Sequence, residues 1–101
     1  MSIINWLENW YESNCDGCWE HIYKNVRIET HDNPGWRIKL NITETLYEDV
    51  AFADVEIDRT EHDWIRCWET NGDIECVGGP RNLEEMLEII KKWMDDNKPT
   101  H

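Results

Sequence analysis

The chain has 101 residues, room for one domain spanning 1–101 and not for two. Its 22 acids against 10 bases give a formal net charge of −12, which repels nucleic-acid phosphates and anionic lipid headgroups and makes a basic protein the natural electrostatic complement. Mean hydropathy is −0.78, yet seven Trp and a 40% hydrophobic share set it among chains that bury a core.

Ser2 is placed to cap a first helix over about Ile3 to Glu12, with Ile3, Leu7, Trp10 and Tyr11 on one face and Trp6 beside them. Asn14 to Gly17 is a turn-rich break, and a first strand is expected from about Glu20 to Thr30. Asp32-Asn33-Pro34-Gly35 reads as a turn, with Pro34 at the first central position and Gly35 supplying positive φ at the second. The strand Trp36 to Ile42 alternates, Trp36, Ile38, Leu40 and Ile42 on one side, Arg37, Lys39 and Asn41 on the other. A connection over Thr43 to Val50 leads to a third strand, about Phe52 to Asp58. After a turn at Thr60 to Asp63 come strands Trp64 to Thr70 and Asp73 to Val77. Asn71-Gly72 between them signals a type I′ hairpin. Asn82 and Glu85 form a capping-box pattern ahead of a last helix striped with Leu83, Met86, Leu87, Ile90, Trp93 and Met94, and a polar tail follows from Asp95. The expectation is an α+β fold: N-terminal helix, antiparallel meander sheet of about five strands, C-terminal helix.

No apolar run approaches the ~20 residues needed to span a bilayer. The N-terminus lacks the basic segment and cleavage site of a secretory signal, so a cytoplasmic protein with free thiols is expected. The two-residue turn sets Cys67 opposite Cys76 as small buried thiols. Cys15 and Cys18 form a C-x-x-C pair. A redox site needs that pair at a helix N-terminus after a strand, and here a helix precedes it, beside Asp16 and Glu20. A zinc site could draw on Cys15 and Cys18 with His21 or the second cysteine pair, although Cys67 and Cys76 are spaced unlike a ribbon knuckle. The sequence holds no G-x-S-x-G, P-loop or H-E-x-x-H motif. Glu20-His21 reads either as an acid/base pair or as a structural turn. No cofactor and no enzymatic activity are expected.

Between Glu44 and Asp58 stand six acids and no base: Glu44, Glu48, Asp49, Asp54, Glu56 and Asp58. They form either a solvated sheet face paired with Arg37 and Lys39 or a footprint for a basic partner. Trp64 and Trp68 face away from Cys67. If both helices cover the Cys67 side these indoles are exposed or half-covered, which suits a protein-binding hot spot; otherwise a helix or the Thr43–Val50 connection covers them.

The blocks NWLENWYESNCDGCWEH, IETHDNPGW and GGPRNLEEMLEIIKKW, in this order, resemble the family-53 immunity proteins of bacterial polymorphic toxin systems. The most specific parts are Cys15-Asp16-Gly17 followed by Trp19-Glu20-His21, and Asp32 to Trp36. In that family an acidic or polar residue stands at the position of Cys18, and a single Gly where this chain has Lys24-Asn25, implying a bulge in the first strand. The resemblance implies a cytoplasmic antidote that binds a cognate toxin domain and performs no catalysis, with neither nucleic acid nor membrane as partner. Joined to the charge, it points to stoichiometric occlusion of a basic toxin, a nuclease, by a monomer or weak homodimer. The candidate contact residues are Asp16, Glu20, His21, Glu48, Asp49, Asp54, Glu56, Asp58, Trp64 and Trp68. The alternative is a small zinc-binding or thiol-based domain using Cys15 and Cys18.

Overall fold

The computed structural model describes residues 2–22 and 24–98. Helix α1 spans Ile3–Asn14. The Ser2 hydroxyl accepts the Asn5 amide at 3.1 Å, satisfying one of the free amides of the first turn. At the other end, Ser13 Oγ and Asn14 Nδ2 both donate to the Trp10 carbonyl, and the Cys15 amide reaches back to Glu12. Trp10 is buried, while Ile3, Trp6 and Leu7 pack part-buried against the core.

The stretch expected to begin the first strand is instead a four-residue helix, α2, Trp19–Ile22. The cause is local. Asp16 Oδ1 accepts the amides of Cys18 and Trp19, and the Glu20 carboxylate accepts those of Asp16 and Gly17, so the two acids cap the turn reciprocally. Gly17 supplies the φ of +90° that this reversal needs. Strand β1 starts only at Val26 and runs to His31, which leaves Lys24 and Asn25 ahead of it rather than in a bulge.

β2 is Gly35–Asn41, β3 Val55–Thr60, β4 Asp63–Thr70 and β5 Asp73–Gly78, and α3 is Leu83–Asp96. The α+β arrangement of two flanking helices and a five-stranded antiparallel sheet is the one expected. The strand order, β1-β2-β5-β4-β3, refines the meander: β5 lies between β2 and β4, and β3 forms the far edge. The Ile42–Asp54 connection carries the chain to that edge by packing on α3. Tyr47 packs tilted and Phe52 edge-on against Trp93 at ring separations of 5.4 and 5.3 Å, and the Trp93 indole donates to the Ala51 carbonyl. These contacts hold Phe52 out of β3, which begins at Val55, later than expected.

The Asn71-Gly72 hairpin has the predicted form, with φ of 49° and 83°, and sets Cys67 opposite Cys76. The Asp32–Gly35 turn does not. Its Asn33–Pro34 peptide is cis, and Gly35 opens β2 without positive φ. Gly35 serves close approach instead: a Cβ there would overlap the Gly78 carbonyl and the His31 ring. Asn82 also departs from its expected role, because its side chain caps no helical amide. Asn82 Oδ1 accepts the Gly79 amide at 3.1 Å, and Nδ2 donates to Asp63 at 2.9 Å, so the side chain ties the loop before α3 to β4.

Ile38, Leu40, Ile65, Cys67, Ile74 and Cys76 project from one face of the sheet and are excluded from solvent. Trp10 of α1, Trp19 of α2 and Met86, Leu87, Ile90 and Met94 of α3 close over them in a single core. Both long helices therefore lie on the Cys67 side. The last turn of α3 is held by Lys91–Asp95 and Lys92–Asp96 pairs at 2.7 and 2.8 Å. The end of the expected polar tail, Pro99–His101, lies outside the described residues.

Candidate functional site

With the helices on one side, the other face of the sheet is left without a covering helix among the described residues. Strand registers fix its layout. One row crosses Glu29, Arg37, Val77, Arg66 and Glu56 from β1 to β3. The next crosses Arg27, Lys39, Glu75 and Trp68, and Trp64 sits opposite Asp58 at the β4–β3 end. Trp64 and Trp68 are half-buried. Trp64 lies 6.0 Å, ring to ring, from His31, whose Nε2 is 3.0 Å from the Gly78 carbonyl. Trp68, Arg66, Glu56 and Asp54 line a shallow hollow of about 150 Å³. Of the two sequence readings of these indoles, half-cover on an open face is the one observed.

Charge on this face is graded. Arg27, Arg37 and Lys39 stand on β1 and β2, while Glu56 and Asp58 stand on β3 with Asp54 just ahead. Between them Glu75, only 6% exposed, is held by the Arg37 guanidinium. The expected pairing of the β3 acids with Arg37 and Lys39 is not made, because two strands intervene. Arg66 of β4 takes that part, 2.8 Å from Asp58 and 3.8 Å from Glu56. One guanidinium against three carboxylates leaves the β3–β4 end net negative.

The ten candidate residues fall into separate groups. Asp54, Glu56, Asp58, Trp64 and Trp68 come together at the β3–β4 end of the open face. Asp16 and Glu20 belong to the α2 turn, where their oxygens are engaged by backbone amides. Those hydrogen bonds hold Asp16 below its ordinary pKa, the Trp19 amide contributing most. They do the same for Glu20, through its own amide first and then those of Asp16 and Gly17. His21 is exposed on the same short helix. Glu48 and Asp49 lie on the connection that packs on α3, on the helix side of the sheet, and Glu48 Oε2 accepts the Glu44 amide at 2.9 Å. The residues that sequence reasoning missed are Arg66 and Glu75. Alternation in β4 already put Arg66 between the two Trp residues, and the hairpin register already put Glu75 opposite Trp68.

The cysteines do not converge. Cys15 and Cys18 are exposed, with the Cys15 thiol donating to the Tyr11 carbonyl, and Cys67 and Cys76 are buried in the core. The Cys67 thiol beside it, and then burial, push the Cys76 pKa far above the ordinary thiol value, which suits inert packing groups. Among the described residues no group of three or more His, Cys, Asp and Glu is placed to hold a metal ion, so the zinc alternative gathers no ligand set.

A family model described as immunity protein 53 matches residues 4–95, nearly the whole chain. This chain belongs to the immunity protein 53 family. No curated protein and no solved structure matches it. Membership in an immunity protein family implies that a toxin protein is the partner and that neutralising it is the task. Such proteins act by binding and are generally not catalysts, so in an immunity protein 53 chain the feature that matters is surface. Among the described residues no helix is long and apolar enough to cross a membrane.

Proposed function

We propose that this immunity protein neutralises a basic toxin domain, a nuclease, by stoichiometric occlusion in the cytoplasm, docking through the β3–β4 end of its open sheet face. One observation carries the reading: Trp64 and Trp68 stand half-buried on a face that no helix covers among the described residues, next to Asp54, Glu56 and Asp58. Large rigid aromatics are the commonest anchors of protein interfaces. Adjacent carboxylates speed encounter with a cationic partner and make the association rate sensitive to salt. The net charge of −12 acts in the same direction over longer range. A nuclease must carry a cationic groove for phosphates, so this face competes for the surface that the substrate needs.

Within the proposal, Asp16 and Glu20 hold the α2 turn rather than the toxin, and Glu48 and Asp49 add only to the distant field. The test is co-expression with the toxin encoded beside this gene. Rescue of growth and recovery of a one-to-one complex are expected. Rescue without a complex, or a complex unaffected by Trp68→Ala, would remove the occlusion reading.

A further inference from the structure

The two edges of the sheet are guarded differently. The Asn41 amide donates to the Asn25 carbonyl at 2.8 Å, which makes residues 25 and 41 a hydrogen-bonded pair. Alternation along an antiparallel ladder then turns the backbones of Arg27, Glu29 and His31 toward β2 and those of Val26, Ile28 and Thr30 outward. Among the described residues no strand pairs with these outward groups, which form an open edge. At the opposite edge the Gly79 amide bonds the Trp64 carbonyl, and the same counting turns Val55 and Ile57 inward and Glu56 and Asp58 outward. Any central self-pairing of β3 sets Glu56 or Asp58 against another of these acids, and a register shift between Asp58 and Thr60 distorts the edge further. Like charges and bulges are how sheets protect an edge.

β1 lacks that protection. The segment Lys24 to Asp32, KNVRIETHD, is self-complementary in charge about Ile28. Aligned antiparallel on itself, it sets Ile28 opposite Ile28, Arg27 opposite Glu29 and Lys24 opposite Asp32, each charged pair occurring twice. In this register the outward residues pair by backbone hydrogen bonds, Val26 with Thr30 and Ile28 with its copy. Arg27 and Glu29 then meet at the closer, non-hydrogen-bonded positions, where cross-strand charge pairs act most strongly. Ile28 is 39% exposed and gains an apolar partner. Within one chain Arg27 and Glu29 are joined only by a 3.9 Å contact between exposed side chains, so exchanging it for the intermolecular pair costs little. Beside the start of β1, Glu8, Tyr11, Lys24, Asn25, Val26 and Arg27 line a concavity of about 530 Å³. The same register brings the Asp32–Pro34 tip of the second copy to it.

We propose that β1 is a pairing edge whose occupant is a second copy of this chain, joined about a twofold axis at Ile28 into a ten-stranded sheet. One strand edge buries less than the roughly 1,200 Å² of a standard stable interface, so the dimer is weak and forms at high concentration. It leaves the β3–β4 end of both open faces free.

Sedimentation equilibrium of the full chain from ~10 μM to ~1 mM tests this, together with Arg27→Glu and Glu29→Arg, each checked for a native circular dichroism spectrum. The wild type is expected to move toward twice its monomer mass. Each single variant, with like charges facing across the axis, should associate at least about tenfold more weakly. Mixed together the two variants should pair with each other, since one then presents acids at both positions and the other presents bases at both. Amide exchange at Ile28 should slow as wild-type concentration rises. A wild type monomeric throughout, single variants that dimerise normally, or a mixture that fails to pair would each overturn the proposal. A chain monomeric alone whose toxin complex is lost in Arg27→Glu would also overturn it, assigning the edge to the toxin.

Discussion

Gly35 is the residue whose reason lies farthest from its own neighbourhood. Its missing Cβ makes room for the Gly78 carbonyl and the His31 ring, which brings β2 close to the end of β5 and seats His31 beside Trp64. Gly35→Ala should therefore lower stability by about 1–3 kcal/mol in urea unfolding, as overpacking does, and should disturb the Trp64 environment in near-ultraviolet circular dichroism. An unchanged urea midpoint would show that the strands can yield there. Residues whose roles follow from adjacent chemistry were legible in the sequence: Gly17 in the turn-rich break after α1 and Asn71-Gly72 in its hairpin. Gly35 and Asn82 were not. Asn82 carries a local N-cap signal, but its side-chain Oδ1 accepts the Gly79 amide instead. Side chains with two possible partners are decided by the fold rather than by the pattern around them.

At the level of elements, β3, β4 and α3 are cross-linked by Arg59. Its guanidinium spans Asp63 at 3.0 Å and Glu85 at 2.6 Å, across an edge strand that pairs with β4 alone among the described residues. The guanidinium's hydrogen bonds hold Glu85 below its ordinary pKa of 4.5. Asp63 is held below 3.8 by Asn82 first and Arg59 second. Because both folded pKa values are depressed, the unfolded chain takes up protons first as pH falls. The stabilisation is complete above pH 4.5 and is lost as pH drops through the folded values. Glu85→Gln should be less stable than wild type at pH 7, and the gap between their urea midpoints should close as pH falls well below 4.5. A gap independent of pH would mean that Glu85 acts through packing alone. The hairpins β1–β2, β3–β4 and β4–β5 were readable from turn residues and alternation. The central β2–β5 pairing was not, since nothing local in Thr43 to Val50 says on which side of β5 the chain emerges. α2 was hidden for a similar reason: four residues carry no helical period, and only the Asp16–Glu20 caps define it.

Over the whole molecule, a chain of net charge −12 keeps its helices on one side of a sheet and presents two half-buried indoles on the other. The charge pattern on that face is not uniform, and this sharpens what total composition implies. The acidic end is β3–β4, so Asp58→Lys should slow association with the toxin and flatten its salt dependence, read by stopped-flow fluorescence at two ionic strengths. An association rate that Asp58→Lys leaves unchanged would move the electrostatic footprint off this end. The acid run 44–58 was visible in sequence, but its division between the open face and the α3-packed connection was not, because that depends on where Tyr47 and Phe52 dock. The proposed docking of the toxin on the open β3–β4 face is tested most directly by calorimetric titration of the purified toxin with wild type and Trp68→Ala. One-to-one binding by wild type and at least about thirtyfold weaker binding by the folded variant, the size of an interface hot spot, are expected. Binding of equal strength by both would contradict it.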